Sequence, residues 1–507
     1  MQNSPKVEWT VFTAALGILI LVCAPLFAFP TESEQMITQI YKGITNSFGV
    51  VYLWGGAAVL IFCLWLAFSR FGNVTLGDPQ EPPQFSNYSW ISMLFCAGVA
   101  TGILYWGSIE WTFYYLAPPF GIEPKSVEAI EWAATYGIFH WGPTGWAFYC
   151  LPALAIGHAY YCRKIPRIRV SSACHAVLGR QTDGALGKLF DLCFMIGLLG
   201  AAGTSLGFGT PMIAAGVSHI FGIEQSRTLI ILISALCALI FATSVYLGLE
   251  KGIRRLSNIN MGMTLVLLAF IGIVGPTAFI LKMGTNSLGL LLQNFIRMHS
   301  WTDPLTDSMF VEQWTVFYWA WWIAVGPFMG IFIAQISRGR TFRQVVLGTL
   351  TCGSLGCAIY YIVLGNYALY LETKTDLSIV AVQASQGTEA AIIAVIASLP
   401  VSQVIVPFFC LISLVFLATT YDSASYALAA SASRSLVGDL APARWHRLFW
   451  ALTLAILPTA LLVGEPGRGS LRALQFASLI VSVPLFAIFI VMGVSLVRAL
   501  RQDEERN

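Results

Sequence analysis

Apolar residues in this chain come in long runs separated by short polar stretches. The runs reach about twenty residues or more, enough to cross a bilayer core as a helix. Twelve of them predict twelve spanning helices, near 9–29, 48–68, 89–117, 131–161, 185–215, 227–247, 256–282, 313–336, 344–370, 402–430, 446–463 and 472–497. Several exceed twenty residues, which implies tilt, breaks or extension beyond the bilayer. A membrane β-barrel would instead show short alternating segments, and the chain has none of that pattern. The run from Trp9 to Phe29 is too long for the core of a cleaved leader and reads as the first span.

Charge orients these spans. With the N-terminus in the cytoplasm, 20 of the 28 Lys and Arg residues fall on the cytoplasmic side, the bias expected of a multi-pass inner-membrane protein. Both termini are then cytoplasmic. The outer segment Asn286 to Trp301 repeats apolar residues at helical spacing, which predicts a helix on the outer surface, or an ordinary packed loop helix.

Glycine pairs mark two candidate interruptions, GVATG (Gly98 to Gly102) in the third span and GPFMG (Gly326 to Gly330) in the eighth. Broken helices free backbone groups near the membrane midplane, where transporters bind substrate and ions. The two sites lie five spans apart, so spans 3–7 and 8–12 would form a five-plus-five inverted repeat. The expected organisation is one all-α, polytopic transmembrane domain over 1–507. Residues 1–88 hold two peripheral helices and 89–282 the first repeat. An outer surface helix lies within 283–312, the second repeat fills 313–497, and 498–507 is a short cytoplasmic tail. Glycine also permits close helix packing, which is the competing explanation for either site.

Composition narrows the class. The chain is 57% hydrophobic and 10% charged, against about a quarter charged for a soluble domain. The net charge of +3 offers no case for a nucleic-acid partner. Eleven cysteines without CxxC or Cys/His spacing read as small core hydrophobes. Six scattered histidines without HExxH argue against an intramembrane enzyme. A channel would repeat polar residues along one pore-facing stripe, and no such stripe is evident.

Aromatic residues carry the candidate chemistry. The chain has 16 Trp, concentrated away from helix ends more than an interfacial belt requires. Trp141, Trp146 and Tyr149 fall near mid-depth in the fourth span, and Trp319, Trp321 and Trp322 beside GPFMG in the eighth. A quaternary ammonium has no N–H to donate and is held instead by aromatic ring faces, at about 2 kcal/mol or more per desolvated ring. Trp146, Tyr149, Trp321 and Trp322 therefore form a candidate cage, with inter-helix packing as the alternative for any single ring. Among ionisable groups, Glu110, Asp422, His140 and His158 are intramembrane candidates by default. They read more naturally as interfacial or hydrogen-bonded structural groups than as a proton path.

At these residues the chain resembles the betaine/carnitine/choline transporter family. The resemblance rests on WTVFYWAWW (Trp314 to Trp322), FIAQISRGRT (Phe332 to Thr341), YWGSIE (Tyr105 to Glu110), FHWGPTGWAFY (Phe139 to Tyr149) and GLEKGIRRLSNIN (Gly248 to Asn260), and it covers nearly the whole chain. It implies twelve helices, an inverted five-helix repeat, alternating access and commonly a homotrimer. It also implies that Trp141, Trp146, Tyr149, Trp321 and Trp322 line the substrate route. Backbone groups at Ala100, Thr101 and Gly102 would hold a substrate carboxylate. Met329 matches a methionine of the carnitine/γ-butyrobetaine exchangers. Val325 stands where close relatives carry an aromatic residue, and Phe113 where the carnitine branch carries a tyrosine.

The exchangers place an arginine where this chain has Asn260. Asn260, with FLATTYDSAS, looks like the sodium-coupled carriers. That likeness implies a sodium site from the Phe416 carbonyl, Thr419 and Thr420, and the backbone around Cys96 and Val99. Oxygen ligands suit such a hard cation, and the competing explanation is that the threonines bond their own helix backbone. No cofactor is implied beyond a coupling ion. The sequence thus points to sodium-coupled uptake of a trimethylammonium carboxylate such as carnitine or glycine betaine, with sodium-independent exchange or a proton-driven choline carrier as alternatives.

Overall fold

A computed structural model describes residues 6–97, 101–247, 250–306, 308–434, 442–464 and 468–506. Helices make up the described chain, and the only β pairing among the described residues is two isolated bridges, Val7 with Ser433 and Thr75 with Thr341. The helices are α1 (Trp9–Ala28), α2 (Pro30–Phe68), α3 (Asn87–Ala97), α4 (Thr101–Leu116), α5 (Val127–His140) and α6 (Pro143–Gly157). Next come α7 (Ala185–Phe221), α8 (Arg227–Leu247), α9 (Glu250–Val274) and α10 (Thr277–Ser300). The second half holds α11 (Val311–Ile336), α12 (Phe342–Lys374), α13 (Ile379–Gln386), α14 (Thr388–Ala397), α15 (Ser402–Ser431), α16 (Arg444–Val463), α17 (Arg468–Ile480) and α18 (Ser482–Glu504).

Eight helices or helix pairs among the described residues are long and apolar enough to span a membrane, and α9, which passes that test together with α10 across their bend, makes a ninth. The remaining three spans are α3 with α4, α5 with α6, and α8. The second of these is broken at Trp141–Gly142, and the third has a short apolar core. The described residues thus accommodate the twelve spans that hydropathy predicts.

The packing follows the repeat. The third helices of the two five-span sets, α7 and α15, lie along each other, and so do the fourth, α8 and α16. The cross-pairs are reciprocal: α7 meets α16 as α8 meets α15, and α6 packs on α11 as α4 packs on the later part of α12. Reciprocal contact between equivalent elements is what a two-fold relation between halves produces.

Four boundaries differ from those the hydropathy pattern predicts. Residues 30–47, expected as an outer loop, are helical, because Ser33, Ile37, Tyr41, Thr45 and Gly49 recur every fourth position and bury one stripe. Tyr41 there stacks on Phe476 of α17 at 4.3 Å. The seventh span stops at Val274 rather than 282, since Gly275 and Pro276 end it, and the chain turns by 108° into α10. The surface helix thus begins at Thr277 instead of Asn286.

The third difference concerns GPFMG, where no interruption occurs: α11 runs continuously through Pro327. Its glycines serve close approach. A methyl group on Gly326 would lie 2.9 Å from the Phe148 carbonyl oxygen, and one on Gly330 2.5 Å from Pro152 Cβ. The fourth span is the one that breaks, at Trp141–Gly142 ahead of Pro143. The predicted break at GVATG falls largely outside the described residues, which resume at Thr101.

Candidate functional site

The break between α5 and α6 builds the centre of the site. Pro143 occupies the first helical position of α6, where its missing N–H costs nothing. The α5 helix ends at His140, whose carbonyl has no helical partner beyond that point. The Trp322 indole N–H, from α11, donates to it at 3.0 Å. An intramembrane indole thus finds a partner because a neighbouring helix is interrupted.

Four rings converge around this bond. Trp322 lies 4.5 Å from Tyr149, 5.9 Å from Trp146 and 5.7 Å from Trp141, and Trp146 lies 5.5 Å from Tyr149. The Trp141–Trp322 and Trp146–Tyr149 pairs are edge-to-face. Trp146 and Trp322 are buried, and Trp141 is half-buried. Glycines let the rings approach: a methyl on Gly145 would lie 2.4 Å from Trp322, and one on Gly353 2.3 Å from Trp146. Gly353 belongs to a π-helical stretch of α12, Thr349–Gly353.

The geometry places each residue of the expected cage. Trp321, half-buried, projects about 100° from Trp322 around α11 and stacks on Phe317 at 6.4 Å. Trp141 is the fourth of the converging rings. Val325 is half-buried, and Met329 is buried two turns beyond Trp322 on the same face of α11. Phe113 packs at 5.3 Å from Trp314 in a separate aromatic group that includes Trp106. Gly102 comes close to the site, 3.9 Å from Trp141 when a methyl is placed on it. Thr101 turns away from it, and its hydroxyl donates to the Ser413 carbonyl of α15 at 3.3 Å. Ala100 lies outside the described residues.

The residues of the expected sodium site are only partly together. Thr419 donates to the Phe416 carbonyl of its own helix at 3.1 Å, as a threonine bonding back along α15 does. Thr420 is half-buried. Asn260 is fully buried and donates to the Ile412 carbonyl at 3.2 Å, one residue from the Ser413 carbonyl that takes Thr101. The Asn260 Oδ1 has no hydrogen-bond partner among the described residues. The third span and the seventh therefore reach the same stretch of α15, one turn ahead of Phe416. Val99 and the side chain of Cys96 lie outside what is described.

Glu110, expected from the sequence as an interfacial or hydrogen-bonded structural group, is the centre of a buried cluster. It is fully buried and accepts the hydroxyls of Tyr114, Tyr318 and Tyr361, the Tyr318 bond at 2.7 Å. Tyr114 also meets His140 Nδ1 at 2.9 Å, and His140 Nε2 meets the Thr315 hydroxyl at 3.0 Å. No spacing rule links residues 110, 318 and 361, so this cluster is not legible along the chain. Asp422 pairs with Arg447 of α16 at 3.2 Å, and His158 with Asp503 of α18 at 3.1 Å.

The model of the BCCT family, betaine/carnitine/choline family transporters, matches residues 10–505. A carnitine transporter of Acinetobacter baumannii is 32% identical over 98% of this chain and 89% of its own length. The uncharacterized transporter YeaV of Escherichia coli is 33% identical over 87% of this chain and 90% of its own. A solved Na+-coupled sialic acid symporter, substrate-bound and outward-open, aligns over 87% of this chain and 85% of that one at 12% identity and a TM-score of 0.46. With a full-length family match and two relatives above 30% identity, this chain is a multi-pass membrane transporter, not an enzyme, and it belongs to the betaine/carnitine/choline transporter family.

Proposed function

We propose that this transporter takes up a trimethylammonium carboxylate, such as carnitine or glycine betaine, together with sodium, by alternating access. The observation that carries this reading is the convergence of Trp141, Trp146, Tyr149 and Trp322 at the break in the fourth span. A permanent cation with no N–H donor is stabilised by ring faces in a low-dielectric site, and needs no carboxylate there. The carboxylate end would meet backbone N–H groups where the third span resumes at Thr101 and Gly102. The Acinetobacter baumannii relative named as a carnitine transporter fits that substrate class.

Sodium is favoured by Asn260 and by the meeting of Thr101 and Asn260 with α15 just ahead of Phe416. Thr419 and Thr420 would turn their oxygens to the ion, with the backbone near Cys96 and Val99. Inward sodium movement then adds about 2.3 kcal/mol per charge per 100 mV. One observation favours sodium-independent exchange of carnitine and γ-butyrobetaine instead: the Thr419 hydroxyl already bonds its own helix. A proton-driven choline carrier is the remaining alternative. The loop charges favour an inner-membrane location with both termini cytoplasmic, and the family resemblance favours a homotrimer.

The test is binding and uptake of carnitine, glycine betaine and choline by purified, reconstituted protein, with sodium and with potassium. Tight, sodium-dependent binding of a trimethylammonium carboxylate is the expected result. Binding indifferent to sodium would select exchange, and failure of all three ligands would overturn the substrate class.

A further inference from the structure

The Glu110 cluster joins four elements. Glu110 and Tyr114 lie on α4, His140 ends α5, and Thr315 and Tyr318 lie on α11. Tyr361 opens a second π-helical stretch of α12, Tyr361–Gly365. These are the first two spans of each half, the third and fourth with the eighth and ninth. One carboxylate with three tyrosine donors ties α4, α11 and α12 together, and Tyr114 extends the link to α5.

Two lines run from that carboxylate to the cage. In the first, Tyr318 and Tyr361 bond Glu110 and present their rings to Trp141, at 6.0 and 6.4 Å. In the second, Tyr114 links Glu110 to His140, whose ring stacks on Tyr318 at 4.7 Å and whose carbonyl holds the Trp322 indole. With the Tyr114 hydroxyl donating to Glu110, its oxygen accepts from His140 Nδ1–H, and Nε2 pairs with the Thr315 hydroxyl. Both ends of the α5–α6 break are thereby fixed, the carbonyl of His140 and the ring of Trp141.

We propose that Glu110 is a positioning residue for the substrate cage: by collecting the hydroxyls of Tyr114, Tyr318 and Tyr361 it sets the placement of Trp141 and Trp322. This rests on the aromatic cage being the substrate site. Carboxylate chemistry suits this place, since its two oxygens can accept up to about four hydrogen bonds and donate none. An amide at the same place has a single acceptor oxygen and an NH2 that opposes a hydroxyl donor, so at least one tyrosine loses its acceptor.

The experiment uses the full-length purified protein and the variants E110Q, E110D, Y318F and Y361F. Binding of carnitine, glycine betaine and choline is read by tryptophan fluorescence. Acrylamide quenching of the cage indoles is read, without ligand, as the difference from a W141F/W322F background. E110Q should bind about tenfold more weakly, the effect of one lost charge-assisted hydrogen bond, and its cage indoles should be quenched more readily. E110D, which keeps the charge, should recover part of both. A folded E110Q with wild-type affinity and wild-type quenching overturns the proposal, as does a lower melting temperature with both unchanged. Should E110Q fail to fold, Y318F and Y361F decide, each deleting one hydroxyl; unchanged binding and quenching in both overturns it. Wild-type protein that binds none of the three ligands overturns the substrate reading alone, because quenching still tests the role of Glu110.

Discussion

Trp322 donates its indole N–H to the main-chain carbonyl of His140 across 3.0 Å, from one five-span half of the transporter to the other. The acceptor exists only because the fourth span breaks before Pro143. The donor faces it only because α11 packs tightly along α6. Backbone irregularity and aromatic placement are thus one feature, and it sits at the centre of the candidate cage.

Replacing Trp322 separates its two contributions. Trp322→Leu removes a ring face worth about 2 kcal/mol to a desolvated cation, so affinity for trimethylammonium ligands should fall about thirtyfold. Trp322→Phe keeps a ring but leaves the His140 carbonyl without its donor, at about 1–3 kcal/mol of stability. Fluorescence titration with thermal melting reads both, and unchanged affinity in a folded Trp322→Leu protein would remove Trp322 from the cage.

Gly145 should be as sensitive as a ring. A methyl there would lie 2.4 Å from Trp322 Cε2, and overpacking of this kind costs about 1–3 kcal/mol. Gly145→Ala is expected to displace the indole and weaken binding about tenfold. Gly262→Ala is the control: a methyl there meets nothing within 4 Å, so binding should be unchanged, with helix α9 stabilised by up to about 1 kcal/mol.

Sodium dependence tests the α15 stretch. Thr420→Ala should raise the sodium concentration for half-maximal uptake about tenfold, as expected for loss of one oxygen ligand. Asn260→Arg places a guanidinium next to Ile412 and should abolish the sodium response while ligand binding persists. Uptake that is equally sodium-driven in both variants would sink the proposed ion site.

The N-terminal strap should loosen in acid. Val7 pairs with Ser433, and Glu8 contacts Lys188 at 3.2 Å and Arg434 at 3.3 Å. Burial works to raise the Glu8 carboxyl, but the Lys188 hydrogen bond and the charges of Lys188, Arg434 and Arg169 outweigh it and hold it below the usual carboxylate range. A depressed carboxylate contributes its stability above its unfolded value and loses it as pH falls through the folded one. Hydrogen exchange at residues 6–12 should therefore accelerate below about pH 4.3. Glu8→Gln should show fast exchange at every pH, and a pH response that survives in it would assign the effect to another group.

Much of the fold was legible along the chain because a bilayer demands it. Each span needs about twenty apolar residues, and the Lys and Arg bias orients them. The aromatic residues of FHWGPTGWAFY and WTVFYWAWW were visible as candidate chemistry for the same reason, since tryptophan at mid-depth is costly without a role. Pattern misled where a glycine had two uses: GPFMG holds close packing against Pro152 and Phe148 instead of a break. It left Trp321 and Trp322 alike, because composition cannot say which of two neighbouring tryptophans packs on the rings of the partner helix.

By itself the sequence determined the spans, the class of transporter and the supply of rings, since hydropathy and residue type act locally. Only the tertiary structure decided which rings meet, that Trp141 rather than Trp321 joins Trp146, Tyr149 and Trp322, and that Glu110 gathers tyrosines from residues 114, 318 and 361. Those choices depend on helix rotation and on contacts more than two hundred residues apart in sequence. They are fixed by close packing of the two halves against each other, which no local pattern encodes.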